Sequence, residues 1–272
     1  MRICCIQMDM LPAAPEANFT HAEELVRKAV AAEQPDVVLL PETWNTGFSK
    51  NCMVAENADA NGARTKRVFS ALAAELHVNI IAGSVITLRE NKAYNTCYVF
   101  NRSGECVASY DKTHLFTPMG EDEVVEKGSG LARFTLDSMS CAVIICYDLR
   151  FPELVRTLTL PGLDVLFVVS QWPKVRAMHL ATLSRARAIE NQMFVALCNS
   201  CGQADGTRYG GGSAVIDPWG EILVQAGETE QILAADADAA ILQNIRQTIP
   251  VFRDRRPELY QIDSVNREGQ NK

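Results

Sequence analysis

Apolar residues fall into short blocks along this chain, and the blocks alternate between two spacings. "RICCIQM", "DVVLLP", "NIIAGSVI", "SCAVIICYD", "DVLFVV" and "MFVALCNS" are near-continuous apolar runs, the pattern of strands covered on both faces. Between them, "PEANFTHAEELVRKAVAAEQ" places Leu25, Val26, Ala29 and Val30 at helical spacing. "TKRVFSALAAELH", "RAMHLATLSRARAIENQ" and "ADAAILQNIRQTI" read as further helices, and Pro152 and Glu153 suit the first turn of another that runs to Leu160. "AYNTCYVF" and "CVASYDK" flank "NRSGE" as a hairpin, and "SAVIDPWGEILVQ" turns at residues 217–220. The tail after Pro257 is polar, so residues 258–272 are expected to be loose. Alternating strands and helices predict an α/β fold, and the hairpins make its sheets mixed rather than purely parallel.

Two of the blocks repeat each other. "QPDVVLLPETW" and, 128 positions later, "GLDVLFVVSQW" both run Asp, aliphatic residues, a polar residue and Trp. The repeat predicts two pseudo-symmetric halves. It also raises a question, because Glu42 in one copy falls where Ser170 stands in the other.

Composition narrows the field. The chain has 272 residues, 47% hydrophobic and 22% charged, enough for one large core, so a single domain over 1–272 is expected. A net charge of −7 argues against a nucleic-acid surface and leaves small molecules as partners. No stretch approaches the ~18 apolar residues of a membrane span. "MRICCIQMDM" is too quickly polar for a signal peptide. Nine cysteines, an odd number, without such a leader point to free thiols in a reducing cytosol, hence a cytoplasmic protein. Cys4, Cys5, Cys97 and Cys141 lie inside apolar runs and read as small core side chains.

Three reactive side chains stand at the edges of apolar strands, where α/β folds carry functional groups. Glu42 follows "VVLLP"; burial there would raise its pKa and make it a better proton acceptor near neutrality. Lys112 in "ASYDKTHLF" could be a fixed positive charge, or a surface lysine paired with Asp111. Cys146 in "AVIICYDLRFPEL" ends a strand before a tight turn and a helix, a place for an exposed nucleophile, or for a buried core cysteine. Cys198 and Cys201 in "CNSC" have redox-motif spacing, but His21, His77, His114 and His179 are scattered singly, so no metal site is expected. His114 and His179 are conceivable partners for a papain-like pair. "YGGGS" lacks the Lys-Ser/Thr of a phosphate loop, and no G-x-G-x-x-G follows the first strand.

At the three segments "LLPETWNTGF", "DKTHLF" and "ICYDLRFPEL" the chain resembles the nitrilase, or carbon–nitrogen hydrolase, superfamily. The blocks come in the family's order, 70 and then 34 residues apart between Glu42, Lys112 and Cys146, and the similarity continues through "RARAIENQ", "DPWGEIL" and "IPVFRDRRPELY". The resemblance implies a four-layer α-β-β-α sandwich of two mixed sheets. It implies a catalytic Glu–Lys–Cys set on Glu42, Lys112 and Cys146, without metal or organic cofactor. It also implies a second glutamate, matched by Glu121. Relatives carry a histidine and an aromatic just after that glutamate, where this chain has Asp122, Glu123 and Val124, so Glu123 and Glu126 remain alternatives.

The implied chemistry is amide hydrolysis through a thioester, with ammonia released and the Tyr147 amide as an oxyanion donor. "SQWPKVRAMHLATLSRARAIENQ" and "RRPELY" look most like the ω-amidase branch, which acts on α-ketoglutaramate. Its substrate carries a carboxylate, which Arg150 would hold unless it pairs with Asp148 or Glu153. Trp44 and Trp172 are expected to wall the pocket, or else to pack in the core. Relatives commonly form homodimers. Deaminated-glutathione amidase, N-carbamoyl amidohydrolase, nitrilase proper and acyl transfer are the alternatives among enzymes. A catalytically silent scaffold is the alternative outside them, although none of the three residues is lost.

Overall fold

The structure, a computed structural model, describes residues 1–260. Residues 261–272, most of the tail expected to be loose, lie outside the described residues, and Pro257–Leu259 forms one 3-10 turn. The first half runs β1 (Arg2–Gln7), α1 (Pro15–Glu33), β2 (Val37–Leu39), β3 (Asp59–Ala60), α2 (Ala63–Leu76), β4 (Asn79–Arg89), β5 (Lys92–Phe100) and β6 (Cys106–Asp111). The second half runs β7 (Arg133–Leu136), β8 (Met139–Ile145), α3 (Pro152–Thr159), β9 (Val165–Ser170), α4 (Ala177–Asn191) and β10 (Phe194–Asn199). It continues through the small hairpin β11 (Gln203–Ala204) and β12 (Thr207–Arg208), then β13 (Ala214–Ile216), β14 (Ile222–Gln225), β15 (Gln231–Asp236) and α5 (Ala239–Thr248).

One sheet has the order β15-β1-β2-β4-β5-β6, with β3 added on β4; the other is β14-β13-β10-β9-β8-β7. Starting from β15 and from β7, both follow one pairing pattern: antiparallel, parallel, parallel, antiparallel, antiparallel. The repeated segments therefore occupy equivalent strands, β2 and β9. Their leading aspartates do the same work. Asp36 Oδ2 accepts the Arg2 amide at 2.7 Å, and Asp164 Oδ2 accepts the Ser140 amide at 3.0 Å, each fixing the start of the neighbouring strand.

Alternation along the strands builds the layers. Ile3, Cys5, Val37 and Leu39 face the second sheet, whereas Cys4, Ile6, Val38 and Leu40 pack on Phe19, Leu25 and Val26 of α1 and Phe69 and Leu72 of α2. Leu154 and Leu158 of α3 and Leu180 and Ala188 of α4 cover the other sheet. The result is the expected α-β-β-α sandwich. Helix α1 shows why the pattern reads so clearly: Pro15 opens it, Phe19, Ala22, Val26 and Ala29 make its buried stripe, and Gln34 closes it in a left-handed conformation (φ 47°). Burying one large aliphatic or aromatic side chain in such a layer contributes about 1.5–3 kcal/mol.

Five strands were not anticipated: the two-residue β3, β11 and β12, and the longer β7 and β15. β15, "QILAAD", is rich in helix-favouring Ala and Leu, yet its antiparallel ladder to β1 and the burial of Leu233 and Ala235 override that preference. β7 is only four residues long and borders the second sheet. Among the described residues no helix is long and apolar enough to cross a membrane.

Candidate active site

Glu42 leaves the end of β2 on a loop pinned from both halves. Its amide donates to the Ser170 carbonyl at 3.3 Å, and the next residue, Thr43, donates its hydroxyl to Gln171 Oε1 at 2.5 Å. A break in register within β4 receives the same loop: the Ser84 amide donates to the Pro41 carbonyl at 3.0 Å, and Ser84 Oγ accepts the Thr43 amide at 3.1 Å. Gly83 makes this possible at φ +63°, since a Cβ there would stand 2.1 Å from the Pro41 oxygen.

Lys112 follows β6 and is completely buried. Its ammonium donates to Glu42 Oε1 at 2.8 Å and to Glu121 Oε1 and Oε2 at 2.9 and 2.8 Å, above the Phe48 ring. Burial alone would lower the Lys112 pKa; Glu121 and Glu42, acting together, outweigh it and hold the ammonium charged well above its ordinary range. The surface pairing with Asp111 does not occur, because Asp111 bonds Arg89 and Thr96 instead.

Glu121 is the buried second glutamate, further fixed by the Phe116 amide at 2.6 Å. Glu123 pairs with Lys50 and Glu126 with Lys92, both on the surface. Between the two buried carboxylates lies Asn95, whose Nδ2 donates to Glu42 Oε1 at 3.0 Å and to Glu121 Oε1 at 3.1 Å. Burial, only partly offset by Lys112, raises the Glu42 pKa, as the sequence suggested.

Cys146 follows β8 at a left-handed elbow (φ 50°) and is 7% exposed. Burial first, then the Glu42 charge, push its thiol well up, while Lys112 and the Gln171 amide act the other way. Asp148 holds the elbow. Its Oδ2 accepts the Ile145 amide (3.0 Å) and the Tyr110 hydroxyl (2.8 Å), and its Oδ1 accepts the His114 amide (3.0 Å) and meets His114 Nδ1 (2.8 Å). The His114 ring is thereby committed to Asp148 and stacks on Phe151, so it forms no papain-like pair. The amide of Tyr147 lies in the first turn of the short segment Cys146–Arg150, where helical N–H groups lack intrahelical acceptors.

A narrow cleft opens on Cys146, lined by Tyr147, Arg150, Gln171, Trp172 and Arg176 among others. Arg150 makes no pair with Asp148 or Glu153. Its guanidinium lies 4.6 Å over the Trp172 ring and 3.2 Å from His179 Nδ1. Arg176 lies over Phe116. Among the described residues neither arginine meets a carboxylate, and the buried Trp172 Nε1 has no acceptor. Trp44 corrects the expectation made for it. It is fully buried on the helix side of its sheet, edge-on to Phe19 and Phe69, with Nε1 donating to the Ala82 carbonyl at 2.7 Å. Thr43, at φ 41°, turns the chain so that Trp44 enters that core, while its repeat partner Trp172 stays at the cleft.

Asn95, Asp148, Gln171 and Arg176 were not singled out as site residues from the sequence. The signal for Asn95 was present in "AYNTCYVF", a polar amide inside an otherwise apolar strand. Cys198 and Cys201 are free and buried, as are most of the nine unpaired thiols.

A buried ammonium between two carboxylates, beside a thiol on a strained turn, defines a class. The chain belongs to the carbon–nitrogen hydrolase family, whose profile it matches over residues 2–247. It is 38% identical over 258 residues to the 2-oxoglutaramate amidase of Bacillus subtilis, covering 95% of this chain and 98% of that one. It is 32% identical over 272 residues to human omega-amidase NIT2, covering 96% and 97%. Its fold superposes with a TM-score of 0.87, at 32% identity, on a carbon–nitrogen hydrolase superfamily protein of Xanthomonas campestris whose structure holds an arsenic adduct in the active site; 94% of this chain and 97% of that one are covered.

Proposed function

We propose that this hydrolase is an ω-amidase that cleaves the terminal amide of α-ketoglutaramate, or a similar dicarboxylic ω-amide, with Cys146 as nucleophile. The observation that carries the reading is the Lys112 ammonium held between Glu42 and Glu121 against the buried Cys146 thiol. In the first step the thiol proton passes to Glu42 and the thiolate sulfur attacks the amide carbon. The carbonyl oxygen takes the negative charge and is met by Lys112 and the Tyr147 amide; losing one such donor typically costs about 10²–10³ in rate. Glu42 then gives its proton to the departing nitrogen, the C–N bond breaks, and ammonia leaves a thioester. Glu42 next removes a proton from water, whose oxygen displaces the thiolate and releases the acid, and the proton passes from Glu42 back to the sulfur to restore the thiol. Glu121 holds Lys112 in place.

The cleft supports the acyl half of the reading. Among the described residues Arg150 and Arg176 have no carboxylate partner and the Trp172 N–H has no acceptor, a lining that favours a substrate rich in carboxylate and carbonyl oxygen. The same proposal includes a cytoplasmic homodimer. Nine free thiols suit a reducing compartment, and the exposed apolar Val175 and Met178 beside the cleft suit an interface, which sedimentation equilibrium would test.

The test is ammonia release from α-ketoglutaramate, glutamine, a deaminated-glutathione substrate and an N-carbamoyl amino acid, for wild type and Cys146→Ala. Rapid release from the first, abolished by the substitution, is expected. Release that survives Cys146→Ala overturns the mechanism. Preference for one of the other amides moves the substrate to that class.

A further inference from the structure

The carboxylate of Glu42 has two oxygens in unequal surroundings. Oε1 accepts from Lys112 and from Asn95, so both of its in-plane lone pairs are engaged. Oε2 accepts the Gln171 amide, at 2.9 Å, and among the described residues no other N–H or O–H, so it keeps one lone pair. Glu42 and the Gln171 backbone both bear on the Cys146 thiol, so the sulfur is a neighbour of that carboxylate. The orientation of Asn95 is fixed by its neighbours: Glu42 Oε1 and Glu121 Oε1 both accept from the Lys112 ammonium and so act as acceptors, and the NH₂ must face them. Among the described residues its Oδ1 is left buried and without a partner, an unmet acceptor tolerated in order to put the NH₂ between the acids. Its own carbonyl accepts the Lys112 amide at 2.9 Å, so one residue ties all three charged groups together.

We propose that Asn95 is a positioning residue that closes Glu42 Oε1 and so designates Oε2 as the atom exchanging protons with the Cys146 thiol and with the leaving nitrogen. The inference rests on the reading of Glu42 as the base. The proton leaves sulfur as the S–H bond breaks and forms O–H at Oε2, and the reverse bond change delivers it to nitrogen. The titratable groups facing Glu42 are Lys112, Glu121, Cys146 and, farther off, Tyr209. Asn95, like the Gln171 amide, is an uncharged donor to Glu42, which lets it hold the carboxylate at every pH without adding charge.

The test is a pH–rate profile of amide hydrolysis for wild type, Asn95→Leu and Asn95→Thr, with Glu42→Gln and Cys146→Ala alongside. Asn95→Leu removes the donor at similar volume, and Asn95→Thr suits the strand if the leucine variant does not fold. The expected result is a kcat about 10–100-fold lower, KM within about threefold, and an acid limb moved to higher pH, because the charged form of Glu42 has lost a hydrogen bond. A folded variant with an unmoved acid limb overturns the proposal, whether its kcat falls or not. If Cys146→Ala or Glu42→Gln retains wild-type turnover, the underlying mechanism falls instead, so the two failures are distinguishable.

Discussion

Asp148 touches no cleft surface, yet replacing it by Asn should disable this enzyme. Each of its oxygens takes one backbone amide and one side-chain group: Ile145 N–H with the Tyr110 hydroxyl on Oδ2, His114 N–H with the His114 ring on Oδ1. A tyrosine hydroxyl can turn and an imidazole can change tautomer, but a backbone N–H cannot become an acceptor. Whichever way the new amide lies, its NH₂ faces one of the two backbone amides. One buried donor is then orphaned, at about 1–3 kcal/mol, with a donor–donor contact added, so a loss of about 2–4 kcal/mol is expected. The effect on rate follows from the elbow. Cys146 is held at φ 50°, a conformation costing an L-residue about 1–2 kcal/mol, and the Asp148 bond to Ile145 is what secures the residue before it. Displacing the sulfur by about 1 Å can cost 10²-fold. Urea unfolding at 25 °C measures the first quantity, and single-turnover ammonia release measures the second. Tyr110→Phe is the control: it leaves both backbone amides paired and should cost only about 1 kcal/mol. An Asp148→Asn protein within 0.5 kcal/mol of wild type and with full turnover would refute the reasoning.

Three further outcomes can be checked with the same equipment. Burial raises Cys4, Cys141 and Cys201 to about 12 from an ordinary 9.0, so above pH 9 the unfolded chain loses protons that the folded chain keeps, and stability falls as pH rises toward 12. Raising the pH from 9 to 10 should remove about 1 kcal/mol per thiol, read as a falling Tm, and Cys201→Ser should flatten the slope; a Tm that is constant over this range contradicts the linkage. Trp44→Phe should cost about 2–4 kcal/mol by orphaning the Ala82 carbonyl and opening a small void while leaving KM unchanged. Trp172→Phe should raise KM for an acidic amide with little loss of stability, since its N–H has no partner to lose among the described residues; the reverse pattern would return Trp44 to the pocket wall.

The layers were legible because the central strands β1, β2, β8, β9 and β10 are almost wholly apolar and buried and helix α1 carries a clear stripe. The repeat of Asp36 and Asp164 was legible too, and its structural cause is now plain: both aspartates start equivalent strands. Glu42 and Ser170 then diverge, with Ser170 donating its hydroxyl to Asn199 Oδ1 at 3.1 Å as a pin behind the site. Glu42, Lys112, Cys146 and Glu121 do meet. What the sequence could not convey was the company they keep. Asn95, Gln171 and Asp148 act through side-chain direction and backbone amides, and these depend on which strands pair. Trp44 and Trp172 look identical in sequence; a single left-handed residue, Thr43, sends the first of them to the other side of its sheet.

Glu42 meets Lys112 across 70 residues of chain and the Gln171 amide across 129. Closing loops of that length is entropically slow, and local strand–helix units have no need to wait for it. In refolding, helix and sheet content should therefore return before the two halves lock their loops together. Turnover would be the last property the chain regains, and the rate of its return would time the docking of one half upon the other.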